Sequence, residues 1–478
     1  MATNALDRHV ALIGFMGAGK TTVGTQLAEL LGRRFVDLDQ EIERGTGRTI
    51  PELFAERGEA GFRILEAERT REVLATQPPA VLALGGGALE RADVREALRA
   101  HALTLLVDVD VDVAWRRVAG TDRPNARDPE RFRALYQQRR ERYDECADAR
   151  VQNVDDAVLA AAGIHVDLGA LERLGELIPG EGRLALVADA HVGGIYGPTV
   201  QVALRPRLAS IHELPEREEA KTVASVERLW RELRLDRDET LVALGGGCTT
   251  DAAGFAAATY LRGLPWVAVP TTLVGQVDAA IGGKTAINLK EGKNLVGAFH
   301  WPARTVVDPG ALETLSDRER QEGMAEVVKT GLLAGEPLWE LPVPELVRRC
   351  AAYKAAVCLR DPREGGERAV LNLGHTFAHA LEAGSAHGVT HGEAVALGLV
   401  AALRLSGLDE QVRFVEEVLR PRPVRADREL AWEALNRDKK RAAGRTRLVL
   451  LDAPGQPRRG VELPDEDVRR ELDRLIAR

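Results

Sequence analysis

A glycine-rich segment near the start of the chain has the residues of a phosphate-binding loop. Residues 14–21 read G-F-M-G-A-G-K-T, which matches the pattern G-x-x-x-x-G-K-[ST]. In such a loop backbone N–H groups approach phosphate oxygens, the lysine reaches the β- and γ-phosphates, and the hydroxyl ligates Mg²⁺. Lys20 and Thr21 occupy these positions, after an apolar segment and before a helix-like one. The pattern predicts a nucleotide phosphate site.

Further charged residues in the first third of the chain are candidates for binding a second substrate. Asp37 and Asp39 lie two apart at a predicted strand end, where α/β sheets present ligands. Arg63 is a candidate anion clamp, residues 85–87 (GGG) allow a close backbone approach, and Arg123 is a candidate lid residue. Taken alone, the two aspartates could instead be turn or cap carboxylates, and Arg123 a solvated loop charge.

Polar residues at helical spacing mark a second centre. In G-G-E-R-A-V-L-N-L-G-H-T-F-A-H-A-L-E the spacings 4, 3 and 4 predict one helix face that carries Arg368, Asn372, His375 and His379. His391 lies at a predicted helix start, and Glu326 and Lys329 share a face at i, i+3. A glutamate and two histidines leave one coordination position open, as a catalytic Zn²⁺ requires.

A glycine-rich region before these helices gathers cations. The triplet at residues 245–247 follows an apolar segment and is by itself a weak dinucleotide signal. The stretch after it, predicted as a loop region, contains Asp278, Lys284, Lys293 and Asn294. These residues fit a pocket for a phosphorylated, anionic sugar, although a solvated loop is the alternative.

The elements that must position these residues indicate an α/β protein. Short apolar runs alternate with amphipathic stretches over the first 150 residues and again over residues 184–308, which predicts parallel sheets covered by helices. Amphipathic helices dominate from Asp317 to Leu419. We therefore predict a P-loop domain at 1–160, a Rossmann-like domain at 161–310 and a mostly helical domain at 311–478.

Composition excludes several classes of protein. The chain has 478 residues, 45% of them hydrophobic, and a net charge of −8 without a basic stretch, which argues against nucleic-acid binding. The longest apolar run, residues 394–403, is too short to cross a bilayer, and the start lacks a secretory signal. The four cysteines show no C-x-x-C spacing. A cytoplasmic protein with small-molecule substrates and no membrane partner is expected.

The segments LIGFMGAGKTTVG, FVDLDQEIE, ELFAERGEAGFR, LALGGGA and R-x-x-x-Y together resemble shikimate kinase over residues 8–160. The resemblance implies binding of ATP and Mg²⁺ by Gly17, Ala18, Gly19, Lys20, Thr21, Thr22 and Asp37. It implies binding of shikimate by Asp39, Arg63, Gly86 and Arg139, with Arg140 and Arg142 as alternatives to the last. Lys20, Asp39 and Arg123 would be catalytic, and Arg123 lies in a lid that reads R-P-N-A where the family has R-P-L-L.

The blocks GGG-x-x-x-D-x-A-GF, VPTTL-x-x-Q-VDA-x-x-GGKT, GKNL-x-GAF, AEV-x-K, R-x-x-LN-LGHT-F-x-H and HGEAVA resemble 3-dehydroquinate synthase over residues 165–455. The resemblance implies Zn²⁺ or Co²⁺ on Glu326, His375 and His391. It implies NAD⁺ on Asp189, Glu218, Lys221, Gly246, Gly247, Asp251, Thr271, Thr272 and Lys293. It implies substrate contacts from Asp278, Lys284, Asn294, Lys329, Lys354, Arg368, Asn372 and Lys439. Asp278, Lys284, Lys329 and His379 would be catalytic.

Together the two resemblances predict a fusion of two enzymes. One part would phosphorylate the 3-hydroxyl of shikimate with ATP. The other would convert 3-deoxy-D-arabino-heptulosonate 7-phosphate to 3-dehydroquinate and phosphate, and a homodimer is possible through this part. As alternatives, the P-loop part could be a non-catalytic ATP-binding regulatory module, or the second part another sugar-phosphate cyclase or a metal-dependent polyol dehydrogenase.

Overall fold

The computed structural model describes residues 4–120, 127–386, 388–441 and 446–477. Internal contacts divide the chain into two compact units, Met1–Ile164 and His165–Arg478. Each unit is built around a largely parallel sheet, which confirms the predicted α/β class. The predicted boundaries near residues 160 and 310 remain predictions. No helix in the described ranges is both long enough and apolar enough to span a bilayer.

The sheet of the first unit is parallel throughout. Its strands are β1 (His9–Ile13), β2 (Phe35–Asp37), β3 (Val81–Ala83), β4 (Ala102–Val107) and β5 (Ala149–Val151). They lie in the order β2-β3-β1-β4-β5. Every residue of β1, β3 and β4 is buried, as expected of parallel strands covered on both faces. They form the parallel sheet that the alternating apolar runs of the first 150 residues predicted.

Helices connect the strands of this first sheet. They are α1 (Lys20–Leu31), α2 (Leu38–Thr46), α3 (Ile50–Leu74), α4 (Ala92–His101), α5 (Val111–Val118), α6 (Pro129–Cys146) and α7 (Val154–Ala161). α1 begins directly after the glycine-rich loop, and α3 is interrupted at Gly58, whose φ is +67°. Because β1 and β2 are parallel members of one sheet, the loop after β1 and Asp37 at the end of β2 lie at the same sheet edge.

The second unit contains a six-stranded sheet and two hairpins. Its strands are β6 (Ile164–Val166), β7 (Leu184–Asp189), β8 (Leu208–Leu214), β9 (Thr240–Gly245), β10 (Trp266–Pro270), β11 (Lys284–Leu289), β12 (Gly292–Phe299), β13 (Arg304–Val307), β14 (Arg447–Ala453) and β15 (Gln456–Glu462). The sheet order is β6-β13-β10-β9-β7-β8, and the pairs from β13 to β8 are parallel. β11–β12 and β14–β15 are antiparallel hairpins.

Helices cover this sheet and form the C-terminal part of the unit. They are α8 (Leu174–Leu177), α9 (Ala190–Ala203), α10 (Val223–Glu232), α11 (Gly247–Thr259), α12 (Asp317–Ala334), α13 (Val343–Arg360), α14 (His375–Gly384), α15 (His391–Leu405), α16 (Asp409–Leu419), α17 (Arg428–Arg441) and α18 (Asp465–Leu475). α15 is buried along most of its length and packs against α12, α14 and α16. The residues at its start are thereby brought to those of α12 and α14.

The prediction of one continuous helix through Arg368, Asn372, His375 and His379 is wrong. Residues Glu367–Asn372 form a short 3₁₀ helix, and α14 begins only after Gly374, which has a φ of +77°. A Cβ on Gly374 would lie 2.8 Å from the backbone nitrogen of Leu399 in α15. The chain therefore breaks its helix where two helices pack too closely for a side chain.

The glycine-rich stretch at 284–299 is the hairpin β11–β12 and not a loop. Its turn is Lys290–Glu291, between Leu289 and Gly292. Lysine, asparagine and glycine are depleted in strands, and Lys-Glu is not a typical hairpin turn, so local composition concealed both strands.

Candidate active sites

The loop between β1 and α1 has the backbone shape of a phosphate cradle. Gly17 and Gly19 have left-handed φ values of +80° and +97°. The Nζ of Lys20 donates hydrogen bonds to the carbonyl oxygens of Gly14 (2.7 Å) and Phe15 (3.1 Å). These bonds hold the ammonium group against the loop at the N-terminus of a helix, where the macrodipole favours an anion.

Thr21 and Asp37 meet beside this loop. The Thr21 hydroxyl donates a hydrogen bond to Asp37 Oδ2 over 3.0 Å, and Asp37 Oδ1 accepts from the backbone of Gln40 at the start of α2. A hydroxyl and a carboxylate supply the oxygen ligands that Mg²⁺ prefers, usually alongside water and phosphate.

A pocket of charged residues adjoins the loop. Arg63 donates to Glu66 Oε2 over 2.7 Å. A Cβ on Gly85 would lie 2.4 Å from Glu66 Oε1 and 3.1 Å from Asp39 Oδ1, so a side chain at this position would displace the Glu66 carboxyl group. Burial raises the pKa of Glu66, and the Arg63 guanidinium opposes that rise.

Arg139 reaches the same pocket from α6. Its side chain is buried, and a Cβ on Gly86 would lie 3.6 Å both from its guanidinium and from the hydroxyl of Tyr143. Tyr143 donates to the Gly86 carbonyl over 2.6 Å, and burial raises the pKa of this phenol to about 12. The pocket therefore has two arginines, Arg63 and Arg139, above a glycine backbone.

The two neighbouring arginines point elsewhere. Arg142 forms an ion pair with Glu90, a carboxylate that also lies 3.8 Å from Arg139 Nε, and the Arg140 guanidinium lies 5.9 Å from the ring centre of Tyr136. Of the three arginines considered from the sequence, Arg139 lies closest to Gly86.

In the second unit three adjacent parallel strands end side by side. Asp189 ends β7, Gly246 and Gly247 follow β9, and Thr271 and Thr272 follow β10. A Cβ on Gly246 would lie 3.1 Å from Thr272 Cγ2, and the Thr271 hydroxyl is buried without a hydrogen-bond partner. A crevice at the carboxyl ends of parallel strands with an open hydroxyl and a helix N-terminus fits a dinucleotide.

A charged network borders this crevice. Lys221 Nζ donates to Asp251 Oδ2 and to Asn294 Oδ1, and Lys293 Nζ lies 3.0 Å from Glu218 Oε1. Burial alone would lower the pKa of Lys221, but the adjacent Asp251 raises it above its usual value. Lys221 therefore remains a cation beneath the hairpin β11–β12.

Glu326, His375 and His391 meet between α12, α14 and α15. One ligand atom from each lies within 4.8 Å of the others. The Nε2 atoms of His375 and His391 lie 3.4 and 3.2 Å from Glu326 Oε1. Two imidazoles and one carboxylate at this separation are a three-ligand set with room for a fourth position.

The other nitrogen of each imidazole is held from outside the cluster. His375 Nδ1 lies 3.2 Å from the carbonyl oxygen of Leu373, and His391 Nδ1 lies 3.1 Å from Glu382 Oε1. Partners of this kind fix the tautomer so that Nε2 presents its lone pair to a metal. The donor set and its outer partners therefore fit a catalytic Zn²⁺ or a similar ion.

A half-buried carboxylate, Asp278, links this cluster to the cationic part of the unit. Asp278 Oδ1 lies 2.8 Å from Lys354 Nζ and 3.4 Å from Lys329 Nζ, and Lys329 also pairs with Glu326. Burial favours the neutral acid, but the two ammonium groups hold the pKa of Asp278 below its usual value. The site therefore contains an ionised aspartate between two lysines.

Further cations lie around Asp278. Arg368 donates to the carbonyl oxygen of Gly282 over 2.8 Å, and Lys284 forms an ion pair with Glu364 at 2.6 Å. The ring of His379, one turn beyond His375 on α14, lies 5.7 Å from the His375 ring. The break at Gly374 does not separate these elements, because buried side chains of α13, of the 3₁₀ helix and of α14 belong to one hydrophobic cluster.

Comparison with known proteins agrees with this arrangement. Residues 16–164 match the sequence family described as shikimate kinase. Residues 211–322 and 323–441 match the N-terminal and C-terminal families of 3-dehydroquinate synthase. A bifunctional shikimate kinase/3-dehydroquinate synthase from Thermotoga maritima is 33% identical in an alignment 486 residues long, gaps included. The alignment covers 94% of this chain and 96% of that protein.

The chain belongs to the bifunctional shikimate kinase/3-dehydroquinate synthase family. The 3-dehydroquinate synthase of Gloeobacter violaceus is 44% identical over 65% of this chain and 96% of its own length. The structure of 2-epi-5-epi-valiolone synthase from Streptomyces hygroscopicus, with NAD⁺ and Zn²⁺ bound, is 26% identical with a TM-score of 0.59. The matched region covers 65% of this chain and 96% of the valiolone synthase chain.

Membership of this family favours the predicted fusion over its alternatives. The two dehydroquinate synthase families match consecutive parts of the chain, which disfavours another sugar-phosphate cyclase or a polyol dehydrogenase in the synthase half. The bifunctional relative covers both halves, which disfavours a purely regulatory kinase half.

Not every residue predicted for these two sites can be placed. Arg123 lies outside the described residues, and so does the side chain of Lys439 at the end of α17. Asn372 ends the short 3₁₀ helix before α14. The other predicted residues of each half lie in the groups described above or in the segments joining them.

Several residues of these sites were not found from the sequence. In the kinase half they are Glu66 and Tyr143. In the synthase half they are Glu382 and Asn288, whose Nδ2 donates a hydrogen bond to Glu218 Oε2 over 2.7 Å. Glu382 lies at i+3 from His379, and a helical wheel would have placed it near the histidine face. Glu66 lies at i+3 from Arg63, and Tyr143 at i+4 from Arg139 is the tyrosine of the R-x-x-x-Y segment, so helical spacing also pointed to these two. For Asn288 no local spacing pointed to the site, because its partner Glu218 lies 70 residues away in the chain.

Proposed function

We propose that the chain catalyses two reactions, one in each unit. The first unit phosphorylates the 3-hydroxyl of shikimate with ATP. The second converts 3-deoxy-D-arabino-heptulosonate 7-phosphate to 3-dehydroquinate and phosphate. The observation that carries the second assignment is the meeting of Glu326, His375 and His391 beside Asp278 and its two lysines.

In the kinase half the glycine loop and Lys20 hold the phosphates of ATP. Thr21 and Asp37 would hold Mg²⁺, which neutralises phosphate charge when bound. The backbone from Gly17 to Thr22 contributes N–H groups at the start of α1. Phosphoryl transfer depends mainly on alignment and charge, so these fixed donors suffice without covalent chemistry by the protein.

The charged pocket beside the loop binds shikimate. Arg63 and Arg139 bind its carboxylate, because a planar guanidinium group can donate two parallel hydrogen bonds to a carboxylate. Asp39 accepts a hydrogen bond from the reacting hydroxyl, and Gly86 permits the ring to approach the backbone. Arg123 is proposed as the lid residue that closes over the phosphates.

In the synthase half the crevice at the ends of β7, β9 and β10 binds NAD⁺. The backbone N–H groups of Gly246 and Gly247 bind the pyrophosphate at the start of α11. The Thr271 hydroxyl, which has no hydrogen-bond partner within the protein, is available to hydrogen-bond the dinucleotide. The remaining proposed contacts come from Asp189, Glu218, Lys221, Asp251, Thr272 and Lys293. NAD⁺ held there would supply reversible hydride transfer.

Glu326, His375 and His391 hold Zn²⁺ or Co²⁺. When bound, the ion stabilises negative charge that develops on substrate oxygens. Glu382 and the Leu373 carbonyl orient the two imidazoles. The ammonium group of Lys329 pairs with Glu326, one of the three proposed ligands.

The cations around Asp278 match the charge of the substrate, which has one carboxylate and one phosphate. We assign anion binding to Lys284, Lys329, Lys354, Arg368, Asn294, Asn372 and Lys439. Elimination of phosphate requires removal of a proton from a neighbouring carbon and neutralisation of the leaving group. Asp278, kept ionised by its lysines, and His379, exposed beside His375, are the residues proposed to move protons.

The same resemblance supports a homodimer formed through the synthase half, which sedimentation of the full-length chain would test. A cytoplasmic location is supported by four cysteines that are all unpaired. The net charge of −8 supports small-molecule partners over nucleic acid.

Two assays on the purified full-length chain test the proposal. One measures shikimate-dependent formation of ADP, and the other measures phosphate release from the heptulosonate phosphate with NAD⁺ and Zn²⁺. We expect both activities, and loss of only the first in Lys20→Ala. Bound ATP without ADP formation would contradict the kinase assignment. Net accumulation of NADH would contradict the synthase assignment.

A further inference from the structure

The amide of Asn288, on strand β11, lies between a residue of the proposed NAD⁺ site and a residue of the proposed substrate site. Its Nδ2 donates to Glu218 Oε2 over 2.7 Å. Its Oδ1 accepts a hydrogen bond from the backbone N–H of Asn294 over 3.0 Å. The Asn288 amide therefore donates through Nδ2 and accepts through Oδ1. It links Asn294, in the same hairpin, to Glu218, which lies 70 residues before Asn288 in the chain.

Asn294, the residue on the substrate side, is held in its backbone conformation by these contacts. Asn294 has a φ of +56°, a left-handed conformation that is uncommon for a residue other than glycine. Its side-chain oxygen accepts from Lys221, which pairs with Asp251. Asn294 is thus held by Asn288 through its backbone and by Lys221 through its side chain.

Glu218, on the cofactor side, retains capacity for a ligand. One carboxylate oxygen faces Lys293 and the other accepts from Asn288, yet a carboxylate has about four acceptor positions. Although burial opposes it, Lys293 and Asn288 lower the pKa of Glu218 and keep it ionised. It can therefore accept hydrogen bonds from ribose hydroxyls while Asn288 fixes its orientation.

We propose that Asn288 is a positioning residue that couples the binding of NAD⁺ to the binding of the anionic sugar phosphate. The inference rests on the proposed function of the synthase half. NAD⁺ that engages Glu218 fixes the Asn288 amide, and the amide holds Asn294 in the conformation that meets the anion. Such coupling is reciprocal, so the anion also strengthens the binding of NAD⁺.

The chemistry of the bridge requires an amide. Aspartate at this position keeps the acceptor for Asn294 but loses the donor, and it places a second negative charge against Glu218. Alanine removes both contacts. Aspartate therefore weakens NAD⁺ binding more than alanine does, although it is the closer match in shape.

The test measures the Kd of NAD⁺ for the full-length, Zn²⁺-loaded chain by calorimetry, without and with saturating inorganic phosphate. In the wild type phosphate tightens NAD⁺ binding. Asn288→Ala weakens NAD⁺ binding about tenfold, as expected for loss of a hydrogen bond to a charged group, and Asn288→Asp weakens it further. In both variants phosphate no longer changes the Kd.

Thr285→Val is the matched control. Its hydroxyl donates to the Ala298 carbonyl across the same hairpin, 3.0 Å away and outside the bridge. NAD⁺ binding and its response to phosphate stay within twofold of the wild type in this variant. Equal losses in Thr285→Val and Asn288→Ala would overturn the proposal, because the hairpin fold and not the bridge would then be responsible.

Other outcomes distinguish a failure of the proposed coupling from a failure of the proposed synthase function. Wild-type binding of NAD⁺ that ignores phosphate, or an unchanged response in Asn288→Ala, would overturn the coupling and leave the synthase assignment standing. A wild-type chain that binds no NAD⁺ at all would contradict the synthase assignment itself.

Discussion

His391 Nδ1 lies 3.1 Å from Glu382 Oε1, so the imidazole is held between a buried outer carboxylate and Glu326. Burial favours the neutral acid, but His391 lowers the pKa of Glu382 to about 2. An ionised partner at Nδ1 increases the basicity of Nε2 and fixes the ring orientation. The pair therefore presents a strong, preoriented ligand to the metal.

Glu382→Gln should lower the affinity for Zn²⁺ by about 10-fold to 100-fold, because a neutral amide supports the imidazole less well. Competition with a chromogenic chelator measures this affinity directly, without turnover. Glu471→Gln serves as control, since Glu471 is also buried and paired, with Arg474, but lies on α18. Equal Zn²⁺ affinity in the wild type and Glu382→Gln would exclude this role.

His375→Ala should abolish metal-dependent release of phosphate and leave shikimate-dependent ADP formation unchanged. The reason is that His375 and the phosphate loop belong to separate compact units. Both activities are assayed on one preparation. His212→Ala, which changes a buried histidine of the same unit away from the cluster, should retain both. Parallel loss of the two activities in His375→Ala would show that the units are coupled.

Arg139→Lys should raise the KM for shikimate about tenfold or more, with a smaller change in the KM for ATP. A lysine keeps the charge but cannot make the two-point contact of a guanidinium with a carboxylate. Steady-state kinetics with each substrate varied separates the two constants. The neighbouring Arg140→Lys, whose guanidinium lies over Tyr136, should change neither constant by more than about twofold.

Cys248 should react slowly with iodoacetamide near neutral pH. Burial and the nearby Glu218 raise the pKa of its thiol to about 12, although it lies in the first turn of α11. The thiolate is the reactive form, so the rate should increase about tenfold for each pH unit between 8 and 10. Peptide mapping by mass spectrometry follows this residue. A plateau near pH 9, as for free cysteine, would contradict the raised pKa.

Much of this protein could be predicted from short stretches of sequence. The phosphate loop, the strands before it and around Gly246, and the helix start at His391 are local features whose residue types and spacing act within one element. Glu326 and Lys329 share a helix face for the same reason. Motifs of this kind are legible in sequence because hydrogen bonding within a turn or helix depends on neighbours a few residues away.

Only the tertiary structure decided which distant residues meet. The break at Gly374 arises from the close packing of α14 on α15, and the hairpin β11–β12 was concealed by its lysines and glycines. The selection of Arg139, and the partnership of Glu382 with His391, follow from packing between elements. The Asn288 bridge joins segments 70 residues apart. Spacing along the chain specifies the face of a helix or strand on which a side chain lies. The element that packs against this face is decided by how all the helices and strands pack together, which is a property of the entire core.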